Sequence, residues 1–333
     1  MAAGDRFLDS VLWLVWQLTL LLVLLALLVL LVLVLRRLAT ELRGERRIRE
    51  REAARRLILG RLHGDEAELD PAALHGLPAA FLIELIDELS QMVRGEGRER
   101  LAALGARLGL VDRLLRALRS WRPGVRAEAA RRLAIYRSEK VTRALCAALS
   151  DATAGTRVAA AVALVDRDAA WSLLQSRARH DPALAGPTAF AFWQRLAELR
   201  PRAFTELFGE PCPPERRVLM LRAAGAAGLT NLVESIAAEA ASADPAVRRA
   251  ATMALLDLKH PLGLDALARM LSDPEPRLRA DAVTAAARRR LVGLLGLVRA
   301  CLEDPDATVR FRAGEAVRRL GGLHPAAFGG SPR

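Results

Sequence analysis

Asp304-Pro305-Asp306-Ala307-Thr308-Val309-Arg310 repeats, with drift, a stretch that occurs twice before it: Asp244-Pro245-Ala246-Val247-Arg248 and Asp273-Pro274-Glu275-Pro276-Arg277-Leu278-Arg279. Arg248, Arg279 and Arg310 stand 31 residues apart. The same step backwards reaches Arg217 and then, beyond a degenerate copy at Asp181-Pro182, Arg157 and Arg126. Three residues after each well-kept arginine comes Ala129, Ala160, Ala251, Ala282 or Ala313, small enough for helices to pack closely. Apolar pairs precede each arginine by 12 and 8 positions: Leu114 and Leu118, Leu145 and Leu149, Ile236 and Ala240, Leu267 and Leu271, Val298 and Leu302. An i, i+4 pair marks one face of a short helix. Asp accepts hydrogen bonds from the free amides of a helix start, and Pro at the first helical position loses no needed donor, so each Asp-Pro reads as a helix opening. Each unit is then a short Leu-rich helix, a turn, and a longer Ala/Arg-rich helix. Such a unit cannot bury its own apolar face, and copies must stack.

The pattern Asp-Pro-x-x-x-Val-Arg-x-x-Ala over Asp304 to Ala313 resembles HEAT repeats, especially the short class of phycobilisome lyases. The resemblance covers roughly residues 95–320 and is weak over 165–235. It implies an all-α chain, an α-solenoid of about seven to eight HEAT-like two-helix repeats. It also implies a structural ladder of turn Asp and helix Arg between neighbouring units, which gives Arg126, Arg157, Arg248, Arg279 and Arg310 a structural role. The stripe Leu82, Leu85, Ile86 and Leu89 within residues 78–93 predicts a helix that caps the first repeat edge.

The N-terminal part reads differently. From Val11 to Leu35 the chain runs without charge, Gly or Pro, interrupted in polarity only by Gln17 and Thr19. At about 1.5 Å per residue such a helix exceeds a hydrocarbon core of about 30 Å, so a single transmembrane span is expected over 11–35. The run is too long for the apolar part of a signal peptide and follows an acidic start, Asp5, Arg6 and Asp9. The far flank carries Arg36, Arg37, Arg43, Arg46 and Arg47, which by the positive-inside rule places the short N-terminus (1–10) outside and the remainder in the cytoplasm of an inner (plasma) membrane protein. These five arginines are also the candidate contacts to anionic lipid. Residues 36–62 read as a basic juxtamembrane helix with i, i+4 pairs such as Glu52 and Arg56, lying on lipid or forming a stalk. A linker and the capping helix follow over 63–94, the repeats over 95–320, and a loose tail over 321–333.

The net charge of +12 would ordinarily point to nucleic acid, but 48 of the 50 basic residues are Arg and half of the excess sits in residues 36–62. No catalytic, cofactor or metal constellation stands out. Cys146, Cys212 and Cys301 are scattered and odd in number, and His63, His75, His180, His260 and His324 have no partner at ligand spacing. Asp166 and Asp168 are placed to cap a helix starting near Ala169. Six of the 14 aromatics fall in the irregular middle: Trp171, Phe190, Phe192, Trp193, Phe204 and Phe208. Because i and i+2 lie on different helix faces, Phe190, Phe192 and Trp193 cannot all point inward, which makes them candidate partner-binding residues, unless their bulk only fills space where the small-Ala pattern is lost. The function expected is a non-enzymatic scaffold or adaptor that uses no cofactor. Its partners are other proteins, such as a membrane-bound envelope complex, with no nucleic acid and no small-molecule substrate. Two other readings stay open: a HEAT-fold nucleic-acid-binding or modifying protein, and a lyase- or chaperone-like protein.

Overall fold

The computed structural model describes residues 76–321 without a break, together with Leu74 and a scatter of helical positions between Trp16 and Ile58. Two compact units divide the chain, residues 1–108 and 109–333. In the first, α1 (Ala79–Met92) and α2 (Glu96–Arg107) are joined at Gly95, whose φ of 60° is one that side chains avoid. The predicted stripe is there: Leu82, Leu85, Ile86 and Leu89 are buried on α1, and Leu101 and Leu104 on α2. Residues 95–107, read as the start of the repeats, thus belong with α1 in the first unit.

The end of the basic segment also joins this unit. Ile58 and Leu74 are fully buried, and the Arg55 guanidinium reaches Glu88 at 3.7 Å and donates to Met92 Sδ at 3.6 Å. At this end the segment is packed against protein, and a free stalk does not describe it. Glu52 and Arg56 make the expected i, i+4 pair at 3.7 Å. Arg36 is helical and exposed; Arg37, Arg43, Arg46 and Arg47 lie outside the described residues. The described part of the 11–35 stretch, Trp16 and eleven Leu and Val positions from Leu20 to Leu33, is helical with every side chain exposed. Among the described residues no helix is long and apolar enough to cross a membrane, and the rest of the predicted span lies outside them.

The second unit is a run of seven helix pairs. They are α3 (Leu110–Ala117) with α4 (Pro123–Arg132), α5 (Glu139–Ala148) with α6 (Ala154–Leu164), and α7 (Trp171–His180) with α8 (Phe190–Leu199). Then come α9 (Pro201–Gly209) with α10 (Pro214–Ala227), and α11 (Val233–Glu239) with α12 (Pro245–Asp257). Last are α13 (Leu262–Met270) with α14 (Pro276–Arg288), and α15 (Leu295–Ala300) with α16 (Ala307–Gly321). Second helices stack on one another from α4 through α12, and α16 stacks on α14, with small residues at the buried faces. Ala129, Ala160, Ala251, Ala282 and Ala313 are buried, and a Cβ on Gly225 of α10 would come within 2.9 Å of Ala254 Cα on α12. Gly263 of α13 is pressed as tightly onto the backbone of Leu255 and Leu256.

Two details depart from the sequence reading. Only Asp244-Pro245 opens an α-helix as expected, with Asp244 Oδ1 accepting from the Ala246 and Val247 amides at 2.8 and 3.1 Å, while Asp181-Pro182 opens a 3-10 turn. Asp273 and Asp304 stand two residues further from their arginines, and their helices open later, at Pro276 and Ala307. In the last pair Leu302 is exposed although its counterparts Leu149 and Leu271 are buried. The first helix ends early here and tightens into a 3-10 turn, Cys301–Glu303, whose three residues per turn bring Cys301 to the inner face instead.

Candidate functional site

The repeated charges are used to join units. Arg126 donates through Nε and Nη2 to both carboxylate oxygens of Asp151 at 2.8 and 2.9 Å, Arg248 does the same to Asp273, and Arg279 to Asp304 at 2.7 Å. Arg157 holds Asp181 through Nε at 3.0 and 3.3 Å. Each of these arginines turns Nη1 back onto two carbonyls of its own turn, as Arg279 does with Asp273 at 2.8 Å and Pro274 at 3.2 Å. Arg310 makes the same contacts to the Asp304 and Pro305 carbonyls. Each carboxylate in turn accepts from an amide two residues on: Thr153 for Asp151, Ala183 for Asp181, Glu275 for Asp273 and Asp306 for Asp304. One guanidinium therefore fixes a turn, and one carboxylate fixes the next. The pairing holds Asp151, Asp273 and Asp304 below the ordinary carboxylate range: at Asp151 and Asp304 the arginine hydrogen bond is the main cause. At Asp273 burial pushes upward, but Arg248 and the Glu275 amide outweigh it.

A second set of arginines, not singled out from the sequence, works at the opposite ends of the second helices. Arg167 is buried and donates to the Leu133, Ala134 and Tyr136 carbonyls of the preceding pair at 3.3, 3.4 and 2.9 Å, and to Thr142 Oγ1 at 2.6 Å. Arg200 reaches back to the Val165 carbonyl at 2.6 Å and Asp168 at 2.5 Å; Arg289 reaches the Leu256 carbonyl at 3.1 Å and Asp257 at 2.5 Å. These carbonyls lie at helix ends, the pole where cations are favoured, and those of Leu133 and Leu256 also accept from the Tyr136 and Lys259 amides at 3.1 and 3.2 Å. Asp166 and Asp168 cap no helix. Asp166 pairs with Arg137 at 2.9 Å, and Asp168 is taken by Arg200.

In the middle of the unit two successive 3-10 turns, Pro182–Ala185 and Pro187–Ala189, separate α7 from α8, and Pro187 stands where the period calls for arginine. The aromatic residues fill this irregularity. Trp193 is 1% exposed and donates from Nε1 to the Leu184 carbonyl at 2.7 Å. Phe192 and Phe204 meet it edge-on with ring centroids 5.0 and 6.4 Å away, and Phe208 stacks on Phe204 at 6.1 Å. Phe192 and Trp193 are therefore core, not partner-binding residues. Phe190 alone of the three is partly exposed, with the Arg222 guanidinium 4.5 Å from its ring centroid.

Chemistry-bearing groups stay dispersed. Among the described residues no group of His, Cys, Asp and Glu could hold a metal ion. Burial pushes the thiols of Cys146, Cys212 and Cys301 up, away from reactivity. His180 Nδ1 lies 2.9 Å from the Ser176 carbonyl one turn back, and His260 Nδ1 accepts from the Leu262 amide at 3.3 Å.

The first two pairs of the unit differ from the rest. Between α3 and α5 runs an open groove of about 760 Å³ whose floor includes Leu115, Leu118, Ala144 and Ala147. Its rim carries Arg116, Arg119, Lys140 and Arg143, facing Asp112 and Asp151. Both acids are already engaged, Asp112 by Lys140 at 2.7 Å and Asp151 by Arg126. Beside the groove stands Trp121, 81% exposed, with the Arg122 guanidinium 4.9 Å from its ring centroid.

The arrangement of paired helices joined at a fixed step agrees with what comparison with known families finds. Residues 233–318 match the family model described as HEAT repeats. Similar solved structures include Kap121p, at 17% identity with a TM-score of 0.36, over 77% of this chain and 34% of that one. An engineered protein is similar at 18% identity with a TM-score of 0.32, over 64% of this chain and 96% of the other. Human deoxyhypusine hydroxylase in complex with glycerol is similar at 17% identity with a TM-score of 0.28, over 73% of this chain and 98% of the other. The match spans about a third of the length of Kap121p. No curated protein matches the chain. The family match falls on the helix pairs from α11 to α16.

Proposed function

We propose that the chain is a non-catalytic scaffold, anchored by one N-terminal span in the inner membrane, whose cytoplasmic helix pairs bind other proteins. The observation that carries this reading is the use made of the repeated polar side chains. Asp and Arg at four of the steps are consumed in joining one pair to the next, so the unit offers its surroundings two long rows of helices and no convergent set of acids, bases or nucleophiles among the described residues. An anchored adaptor uses such rows to hold clients beside a membrane-bound machine, and an envelope complex is the client class this location favours. The anchor is supported by the uncharged run 11–35, by the arginines that follow it, and by the exposed helical leucines between Leu20 and Leu33.

Two measurements test the proposal. Alkaline carbonate extraction of membranes from cells expressing the full chain is expected to leave it in the pellet; release into the supernatant removes the anchor. Crosslinking in those membranes is expected to capture a defined set of proteins. Capture of nucleic acid alone would transfer the chain to the nucleic-acid-binding class.

A further inference from the structure

We infer that the α3–α5 surface, with Trp121 at its edge, is a docking face for an anionic lipid bilayer. Residues 109–153 hold ten basic residues against four acidic ones, whereas 63–108 hold four against nine and 154–239 hold ten against nine. Residues 240–320 hold fourteen against ten over a longer stretch, so the repeat region is most densely basic at its first two pairs. Within the groove the only two carboxylates on the rim are neutralised by Lys140 and Arg126. Arg116 and Arg119 have no carboxylate partner among the described residues, and Arg143 has only Glu139 at 3.4 Å, both side chains well exposed. Arg116 near the end of α3 and Arg119 in the turn that follows both line the groove on the side that leads to Trp121.

The choice of a bilayer over an acidic polypeptide rests on the groove floor and the tryptophan. A floor of Leu and Ala side chains presents no donors or acceptors that would set the register of a peptide backbone, and specific peptide grooves depend on such groups. Long basic side chains around apolar floor, beside a tryptophan standing in solvent, match the headgroup boundary. There cations meet phosphate and an indole ring finds one apolar and one wet neighbour. The inference rests on the proposed anchor only in that the anchor brings a membrane within reach.

For the test, the full-length protein is reconstituted into vesicles of phosphatidylcholine alone or with phosphatidylglycerol, each containing lipid brominated near the glycerol end of its acyl chains. Trp121 emission is taken as the difference between the wild type and Trp121→Phe. Quenching and a blue shift are expected on the phosphatidylglycerol vesicles only, and both should reverse at high salt. The triple variant Arg116→Ala, Arg119→Ala, Arg143→Ala, which alters only exposed side chains, should weaken docking by roughly a hundredfold, at about fivefold per cation. Equal emission on both vesicle types overturns the inference. So does a response to polyglutamate or single-stranded DNA that the anionic vesicles do not produce, which would assign the face to an acidic protein or to nucleic acid. Carbonate extraction separates this from the anchor. A chain stripped by carbonate but still quenched on anionic vesicles loses the anchor alone, and an embedded chain with Trp121 in water loses this inference alone.

Discussion

Asp273 makes the smallest unit of the repeat explicit: one carboxylate, one guanidinium from the preceding pair and one amide from its own turn. Because the folded state holds Asp151, Asp273 and Asp304 below the ordinary carboxylate value, protons bind the unfolded chain more readily. Their stabilisation is complete above a pH of about 4 and drains away as pH falls further, so acid melting is expected to begin there. Asp273→Asn should cost about 1–2 kcal/mol at neutral pH, since it gives up a charge-assisted pair but keeps an acceptor, and it should flatten the acid limb. Thermal melts across pH check both statements. A melting temperature that does not fall on acidification would refute the assignment. The arginine half of this unit was legible in the sequence because Arg126, Arg157, Arg248, Arg279 and Arg310 keep an even step. The acid half was blurred, because Asp244-Pro245 and Asp273-Pro274 look alike while one caps a helix and the other grips a neighbour. Only the distance to the arginine, four residues or six, tells them apart. Arg167, Arg200 and Arg289 were not singled out, since their shared targets are backbone carbonyls; the one side-chain signal is the 32-residue separation common to Asp168–Arg200 and Asp257–Arg289.

At the scale of helices, glycine reports where two elements touch. Replacing Gly by Ala inside a helix ordinarily stabilises by up to about 1 kcal/mol. Gly314 of α16 has room for it, with only the Arg318 side chain 3.8 Å away, so Gly314→Ala should raise the melting temperature slightly. Gly225→Ala and Gly263→Ala should do the opposite, by about 1–3 kcal/mol, because the added methyl meets backbone that cannot yield. Denaturant melts of the three variants decide the matter by sign alone. Trp193→Phe is expected to lose about 1 kcal/mol with the Leu184 hydrogen bond, and Trp193→Ala about 3–5 kcal/mol as the cluster empties. Of Phe190, Phe192 and Trp193, which helix geometry keeps from all pointing inward, Phe190 is the one left partly exposed, beside the Arg222 guanidinium. The two 3-10 turns that carry a carbonyl to the Trp193 indole could not be read, since two prolines only announce that a regular helix stops.

Across the whole second unit the arginine–aspartate joints are uneven. Pro187 replaces an arginine and Ser242 replaces an aspartate, where Arg217 turns to Glu239 at 3.2 Å instead. Arg179 and Glu210, in a two-pronged contact at 2.7–3.0 Å, bridge the stretch between. Native-state hydrogen exchange should therefore find α12 to α16 opening together as the most protected block, and the Pro182–Ala189 turns among the first to exchange. Uniform protection along the seven pairs would show that the joints do not set cooperativity.

A joint that reaches 25 residues forward in a chain that steps by 31 has one more outcome. A second copy of residues 248–278 inserted after Leu278 would present its own arginine where Arg279 now sits and its own carboxylate 25 residues later, so every existing clasp would find the partner type it had before. The molecule is accordingly built to grow or shrink by whole modules, and an insertion of any other length would leave a clasp open.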